Sequence, residues 1–553
     1  MGIFTPNAEV IVWNYENRFS STKLSDPGTI AETLLLSSYI QRIATSKQKG
    51  APAGSFEISL APAFNWISKI TPGSWCAIIM SSKEDVSKVT QADRRNLKML
   101  GRIDAIRVVA QVDSDGTRTL SYIVTGTDWA NVFETTLYID PIVLQSATGG
   151  MNQLGAAQAL IYANWINNVL STNKPIPSTT DNVKQLINIW GEAGTGYLAK
   201  LSANIPVVKD LALSSGDQYH LPKEVAKYLQ IGSTTLNGAL KIVPGKLIGP
   251  DKYEDVREAH VFIEPSSVSG AHSLWQLIND NCNNILNECI AEMRWDSDKN
   301  VNLTLYKRTR PFLNRAPRPP QKEPEVERNL SFFKDVLRHT IPIEDILSCN
   351  AGTNWRDSVN FIEIMPANSL LQTEIISNEA KLKAQEADKI GFLRDGMRAM
   401  ILSAPYVIYP EGRKQTLTDF TALTQWKWLL KEWYFNTQNL LNGSITFVGQ
   451  NTYIGVGDNI MFDASILGYA PFNTKQTQNT QILAHVENLS HDFSVNEEGA
   501  RTFFTTINFV RGIPTDAAGN PVDPKTGIAT DPKASQMPES TETQSNVIIS
   551  RSK

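Results

Sequence analysis

The sequence predicts a mainly β chain with α insertions, an α+β multidomain protein in which two β-modules of similar fold are separated by mixed α/β segments. Three observations predict it. The same ordered set of strand and turn signals occurs near the start and again near the end. Within each set, apolar residues partly alternate with polar neighbours, as a half-buried sheet requires. Between the sets apolar residues recur at helical spacing, as in Leu154, Ala157, Leu160, Ile161, Trp165, Ile166 and Leu170.

The first set runs Gly54-Ser55-Phe56-Glu57-Ile58-Ser59-Leu60, Pro72-Gly73-Ser74-Trp75-Cys76-Ala77-Ile78-Ile79, Gly101-Arg102-Ile103-Asp104-Ala105-Ile106 and Gly116-Thr117-Arg118-Thr119-Leu120. The second runs Gly443-Ser444-Ile445-Thr446-Phe447-Val448-Gly449, Val456-Gly457-Asp458-Asn459-Ile460-Met461-Phe462, His485-Val486-Glu487-Asn488-Leu489 and Gly499-Ala500-Arg501-Thr502-Phe503. Both read as strand, glycine turn, strand, strand, G-x-R-T hairpin, strand. Matching Gly54 to Gly443 leaves 19 residues to Gly73 but 14 to Gly457, so the first copy needs a longer connection there.

Taken in order, residues 1–148 form the first module with an early helix. Pro27-Gly28 breaks the chain, and Ile30, Leu34, Leu35, Tyr39, Ile40 and Ile43 then recur at helical spacing. A strand pair is the alternative, because Leu34-Leu35-Leu36 fits either. Ile103, Ile106, Val108 and Val109, then Leu120, Tyr122 and Val124, read as sheet around the Asp113-Ser114-Asp115-Gly116 turn. Residues 149–240 form a helical insertion, with short helices expected at 182–190 and 222–230. Residues 241–320 are mixed α/β: Ser273 opens a helix to about Glu292, and a strand follows from Val301 to Tyr306. A proline-rich connector, Ala316-Pro317-Arg318-Pro319-Pro320 to Pro324, precedes a mixed domain at 321–417, whose charged stretch Glu379 to Asp395 reads as a solvated helix or loop. Residues 418–512 join a Trp-rich amphipathic helix to the second module. Residues 513–553 are rich in Pro, Asp, Thr, Ser and Lys and read as an extended or disordered tail.

At 553 residues the chain has room for three or four domains. Its 41% hydrophobic and 20% charged content is that of an ordinary globular protein. A net charge of -4 argues against a dedicated DNA-binding surface. No apolar run approaches the ~18 residues of a membrane span, and Met1-Gly2-Ile3-Phe4-Thr5-Pro6 lacks a signal-peptide layout. Cys76, Cys282, Cys289 and Cys349 form no C-x-x-C pair, which speaks against zinc and for a reducing compartment. Cys282 and Cys289, seven apart on the expected helix, read as small core residues.

No catalytic constellation is found, and no cofactor or metal site is expected. His220, His260, His272, His339, His485 and His491 contain no H-E-x-x-H spacing and read as structural. Gly191-Glu192-Ala193-Gly194-Thr195-Gly196 lacks the Lys-Ser/Thr of a phosphate loop, and no G-x-S-x-G elbow is present. No pair of carboxylates is singled out for glycosidase chemistry. The basic run from Lys307 through Arg308, Arg310 and Arg315 to Arg318 reads as a solvated strand end.

Three segments together resemble the baseplate hub proteins of tailed phages and of related contractile injection systems. The first is Ile43-Ala44-Thr45-Ser46-Lys47 with Gly54 to Leu60, Trp66, Ile70, Pro72 to Trp75, the G-R-I-D strand at Gly101, and Val124-Thr125-Gly126-Thr127-Asp128-Trp129. The second is Leu274-Trp275-Gln276-Leu277-Ile278 with Leu286-Asn287-Glu288, Val301 to Tyr306, and Arg310-Pro311-Phe312. The third is Gly443 to Gly512, with Val486-Glu487-Asn488-Leu489-Ser490-His491-Asp492-Phe493-Ser494 and Val510-Arg511-Gly512. The resemblance covers about half the chain and excludes 150–240 and 325–420. It implies that the two modules are tube-like β-barrels and that the protein is a non-enzymatic homotrimer. Six barrels would then form a ring between a hexameric tail tube or distal tail ring and a trimeric central spike. Tape measure and wedge proteins are further expected partners, and viral DNA would pass through the lumen without specific binding. Expected localisation is the virion tail baseplate, after synthesis in the host cytoplasm. Candidate barrel and interface residues are Gly101, Arg102, Asp104, Tyr122, Val124, Val486, Glu487, Phe503, Thr505 and Arg511. A peripheral baseplate or receptor-binding protein, and a tail-associated peptidoglycan hydrolase, are the alternatives.

Overall fold

The computed structural model describes residues 5–15, 30–82, 96–139, 222–229, 240–244, 271–275, 287–295, 301–309, 336–366, 385–404, 430–449, 454–467 and 481–515, with a few omissions inside these spans. The described chain is mainly β. The N-terminal region supplies β1 (Asn7–Tyr15), β2 (Ile30–Leu35), β3 (Ile40–Gln48), β4 (Ser55–Leu60), β5 (Trp75–Ser81), β6 (Leu97–Val112) and β7 (Arg118–Asp128), with the short helix α1 (Trp66–Lys69) between β4 and β5. The middle supplies β8 (Leu137–Ile139), helix α2 (Lys223–Leu229), β9 (Leu240–Pro244), β10 (Ala271–Ser273), β11 (Asn287–Trp295) and β12 (Val301–Thr309). Then come β13 (Arg338–Ile341), β14 (Ile346–Gly352), β15 (Phe361–Pro366), β16 (Gln385–Ala387), helix α3 (Lys389–Asp395) and β17 (Ala399–Ala404). The C-terminal region supplies β18 (Leu441–Val448), β19 (Asn459–Asp463), β20 (Gln481–Val495) and β21 (Arg501–Thr515).

One sheet holds strands from both the N-terminal and the C-terminal regions, in the order β14-β18-β21-β20-β3-β4-β7-β6-β5-β1-β2, with β19 on β20 and β13 on β19. Cut between β20 and β3, this order repeats. The first half reads β3-β4-β7-β6-β5 and ends on β2, with β1 between β5 and β2; the second reads β14-β18-β21-β20-β19 and ends on β13. Directions agree as well. β13 runs parallel to β19, and β2 runs parallel to β5 because each is antiparallel to the β1 between them.

The repeat extends to single hydrogen bonds. In the first copy Gly73 N donates to Ile103 O and Ile103 N donates to Ser74 O; in the second Gly457 N donates to Val486 O and Val486 N donates to Asp458 O. Gly73 and Gly457 have φ of 88° and 83°, and the hairpin glycines Gly116 and Gly499 have 83° and 81°. These left-handed conformations favour glycine, which is why the turns are visible in the sequence. The ladders are also bulged alike, between Ile103 and Ala105 and between Val486 and Asn488.

Both copies curl. Six inter-strand steps separate β3 from β2 in the sheet, ~29 Å if flat. Yet Leu35 and Ile40 are joined by four residues, a reach of ~18 Å at most. The corresponding strands β13 and β14 are joined by the four residues after Ile341. Each curl encloses its own core: Val10, Val12, Ile43, Ile58, Ile78, Met99 and Val124 in the first, and Ile341, Ile445, Ile460, Phe462, Val486, Ile507 and Phe509 in the second.

Several expectations are corrected. Residues 30–43 form β2, a 3-10 turn and the start of β3, not a helix. Leu35, which a helical stripe would bury, is 61% exposed, while Leu36, Ile40 and Ile43 point into the core. Residues up to Glu292 do not continue a helix, because β11 begins at Asn287 and includes Cys289. Strand β12 and helix α2 lie where a strand and a short helix are expected. The second copy's first strands, β13 and β14, precede the insertion between them and β18, inside the segment read as a separate mixed domain. The expected elements at 150–220, the proline-rich connector and the tail after Thr515 lie outside the described residues, as does most of the Trp-rich helix.

Candidate assembly interface

The two modules meet at a joint between β20 and β3. The second half of β20 pairs antiparallel with β3, from Asn488 opposite Gln48 to Ser494 opposite Arg42. The two modules are thereby fused edge to edge into one ladder. Phe493 and Phe503, from the tips of β20 and β21, belong to the first module's core. Their rings supply apolar area at the joint, and fully burying one such side chain is worth ~1.5–3 kcal/mol.

Charge fastens both ends of the joint. Arg42 binds Asp492, an exposed contact of small energetic value. Lys49 Nζ lies 2.6 Å from Glu487 Oε1 and 3.2 Å from Glu288 Oε2, and Lys49 N donates to Glu487 O at 2.8 Å. Glu288 comes from β11, where Glu292 Oε1 also accepts from Val456 N at 3.3 Å. Strand β11 therefore contacts the first module through Lys49 and the second through Val456.

Beneath the joint lie buried polar groups. Lys47 Nζ is 2.6 Å from Asp128 Oδ2, with both side chains under 10% exposed, and also donates to Pro52 O. Asp128 Oδ1 accepts from Ala130 N at 2.9 Å. His491 Nδ1 is 2.9 Å from Thr505 Oγ1, and its ring packs 6.0 Å from Phe503. Burial, and then the nearby Lys98 charge, push the His491 pKa well below its ordinary 6.5, so the ring is neutral in the fold. Burial lowers Lys98 to about 7.

The residues proposed from sequence divide into groups. Glu487, Phe503 and Thr505 sit at the joint. Asp104 is exposed and occupies in β6 the bulge position that Glu487 occupies in β20. Tyr122 pairs with Val108 and Leu60 and packs on the first core. Gly101, Arg102, Val124, Val486 and Arg511 are internal to the modules. A Cβ on Gly101 would lie 2.1 Å from Thr127 O. Arg102 donates from Nε to Gly73 O at 3.1 Å and lies over Trp75. Val124 and Val486 are fully buried. Arg511 is buried at φ 60°, its N–H donating to Asn442 Oδ1 at 3.0 Å. Neither β3 nor β14 is among the candidate interface residues, although Ile43 to Lys47, quoted for the hub resemblance, lies on β3.

Among the described residues no group of three or more His, Cys, Asp or Glu is placed to hold a metal, and no helix is long and apolar enough to cross a membrane. No protein-family model matches the chain, and no curated protein matches it. Solved structures similar to it include two tail proteins. One is the tail protein from Neisseria meningitidis MC58, at 10% identity and TM-score 0.40, covering 92% of this chain and 97% of that one. The other is the 43 kDa tail protein of prophage MuSo2 from Shewanella oneidensis, at 11% identity and TM-score 0.38, covering 91% and 97%.

Proposed function

We propose that this protein is the structural hub of a bacteriophage tail, a homotrimer whose six similar modules form a ring between the hexameric tail tube and the trimeric central spike. The observation that supports it best is the duplicated strand order, with its two copies fused edge to edge. A chain carrying one module twice lets three-fold symmetry present six similar surfaces. The hub-like motifs of the sequence lie on these strands: the G-R-I-D segment opens at Gly101 in β6, and the Val486 to Ser494 segment contains the joint-forming part of β20, Asn488 to Ser494.

In this reading each module is a tube-like barrel, and the lumen passes DNA without holding it. Lys/Arg clusters on the wall would retard DNA by phosphate binding and are not expected there. The role is structural, with tape measure and wedge proteins as further contacts. Electron microscopy of the purified chain, with its mass from light scattering, tests the reading. The expected result is a ring of three 61.3 kDa chains with six similar lobes. A particle of any other symmetry, or hydrolysis of purified peptidoglycan by the chain, would overturn it.

A further inference from the structure

The internal joint uses one half of β20 and the outer edge of β3. Their counterparts in the other copies are the Asp104–Val112 half of β6 and the outer edge of β14. Neither has a strand beside it among the described residues: β6 pairs with β5 only from Leu97 to Arg102 and otherwise with β7, and β14 pairs with β18. We propose that the Asp104–Val112 half of β6 pairs antiparallel with β14 of a second copy of this chain, in the register of the internal joint. This rests on the ring reading above and names the edges that close it.

The occupant follows from the equivalence. Strand β20 differs from β6 at matched positions in what its side chains experience. Leu489, His491 and Phe493 are 6%, 5% and 2% exposed: β3 pairs with all three, Phe493 packs in the first module's core and Leu489 in the second's. Their counterparts are Ile106, Val108 and Ala110. Val108 is 46% exposed, Ala110 is exposed, and Val112 beyond them is 68% exposed. The hairpin tip carries Leu120, 40% exposed, where the second copy buries Phe503. On the receiving side Leu347 of β14 is 52% exposed, and Cys349 and Ala351 are only partly buried against the second core. An open apolar edge is an aggregation hazard unless something pairs with it. The two edges are different and complementary, so the contact is head to tail, the kind that closes into rings.

The bulges fix the register. Ile40/Arg42 in β3 and Ile346/Ser348 in β14 shift alike against β4 and β18. Transferring the β20–β3 register places Arg107 opposite Gly352, Val108 opposite Ala351, Val109 opposite Asn350 and Ala110 opposite Cys349. Directly opposed antiparallel residues have Cα atoms ~4.5–5.5 Å apart, within disulfide reach, whereas a two-residue offset adds ~7 Å along the strand.

The native Cys349 therefore supplies half of the test. Ala110→Cys, made in the full chain and oxidised at mildly alkaline pH, should give disulfide-linked species of up to three chains on a non-reducing gel. Adding Cys349→Ser should abolish them, and Val112→Cys should cross-link at least tenfold less. Equal cross-linking by Val112→Cys would overturn the register. A trimer by light scattering whose Ala110→Cys variant stays single-chain would overturn the β6–β14 pairing and leave the hub reading standing. A chain that is monomeric at every concentration and never cross-links would overturn both.

Discussion

The two copies solve one packing problem in opposite ways. In the first, Phe56 on β4 lies opposite Gly126 on β7, and a Cβ on Gly126 would sit 2.3 Å from the Phe56 ring. In the second, the pair at the same place is Gly443 on β18 and Phe509 on β21. The large ring and the glycine have exchanged strands. Both rings are buried, at 3% and 1% exposure. What the duplication keeps is a buried ring paired across from a glycine, not the residue at either position; a Cβ on Gly443 would instead meet the β14 backbone, 1.9 Å from Asn350 O. Charge is exchanged too: Arg511 stands in the second copy where Asp128 stands in the first.

The largest expected effect breaks the comparison at that charged position. Lys47→Met leaves the Asp128 carboxylate buried without its ammonium, a change that costs ~3–5 kcal/mol. Adding Asp128→Asn, which keeps an acceptor for Ala130 N, should recover most of the loss. Urea unfolding of the single and double variants measures it. A single variant as stable as the parent would mean the ion pair is not buried as described.

A smaller effect sharpens the comparison, because it should be the same in both copies. Gly73→Ala and Gly457→Ala each place a side chain at a φ above 80°, at a cost of ~1–2 kcal/mol. The Cβ at Gly73 meets nothing closer than Arg102 at 3.7 Å, so conformation and not crowding sets that cost. Thermal unfolding should show matched shifts. A loss in one copy alone would mean the two turns are not equivalent.

These glycines also mark what was legible in the sequence. Gly73, Gly116, Gly457 and Gly499 announce turns because left-handed backbone selects glycine at each. Gly54 and Gly443, which the sequence aligns, are not structural counterparts. Their alignment is two residues out, since Ile58 and Ile445 are the structural counterparts and Gly443 answers to Phe56. With that correction the connections are 13 residues from Leu60 to Gly73 and 10 from Phe447 to Gly457, and α1 lies in the longer one. Strand β11 was illegible for a different reason. Its buried residues Glu288, Ile290 and Glu292 share one face of the strand. Partners remote in sequence, among them Lys49 for Glu288 and the Val456 N–H for Glu292, meet these two glutamates there. The joint is half legible: Val486 and Glu487 border it and the motif Val486 to Ser494 spans it, but Ile30 to Ile43 fits a 3.6-residue period as well as two strands around a tight turn, so β3 does not announce itself as an edge. Strand β14 carries too little alternation to announce an edge.

The smallest effect separates the internal joint from the proposed one between chains. His491 is neutral in the fold, whereas the unfolded chain takes up a proton there near the ordinary 6.5. Below that pH the unfolded state binds more protons, so stability falls as pH falls, by no more than ~1.4 kcal/mol per pH unit for one group. Lys98, lowered to about 7, acts on the alkaline side: between about 7 and its ordinary 10.5 the unfolded chain holds a proton the folded chain releases, so stability from this group rises with pH there. Its slope is therefore largely spent before that of His491 begins. Thermal unfolding between pH 6.5 and 5.5 should show a drop that His491→Gln, which can still bond Thr505, removes. Val108 holds the matching place in β6 and does not titrate. Mild acid should therefore loosen the fusion of the two modules within a chain while leaving the β6–β14 pairing untouched by this route. If His491→Gln leaves the acid slope unchanged, the neutral histidine is not what makes the internal joint sensitive to pH.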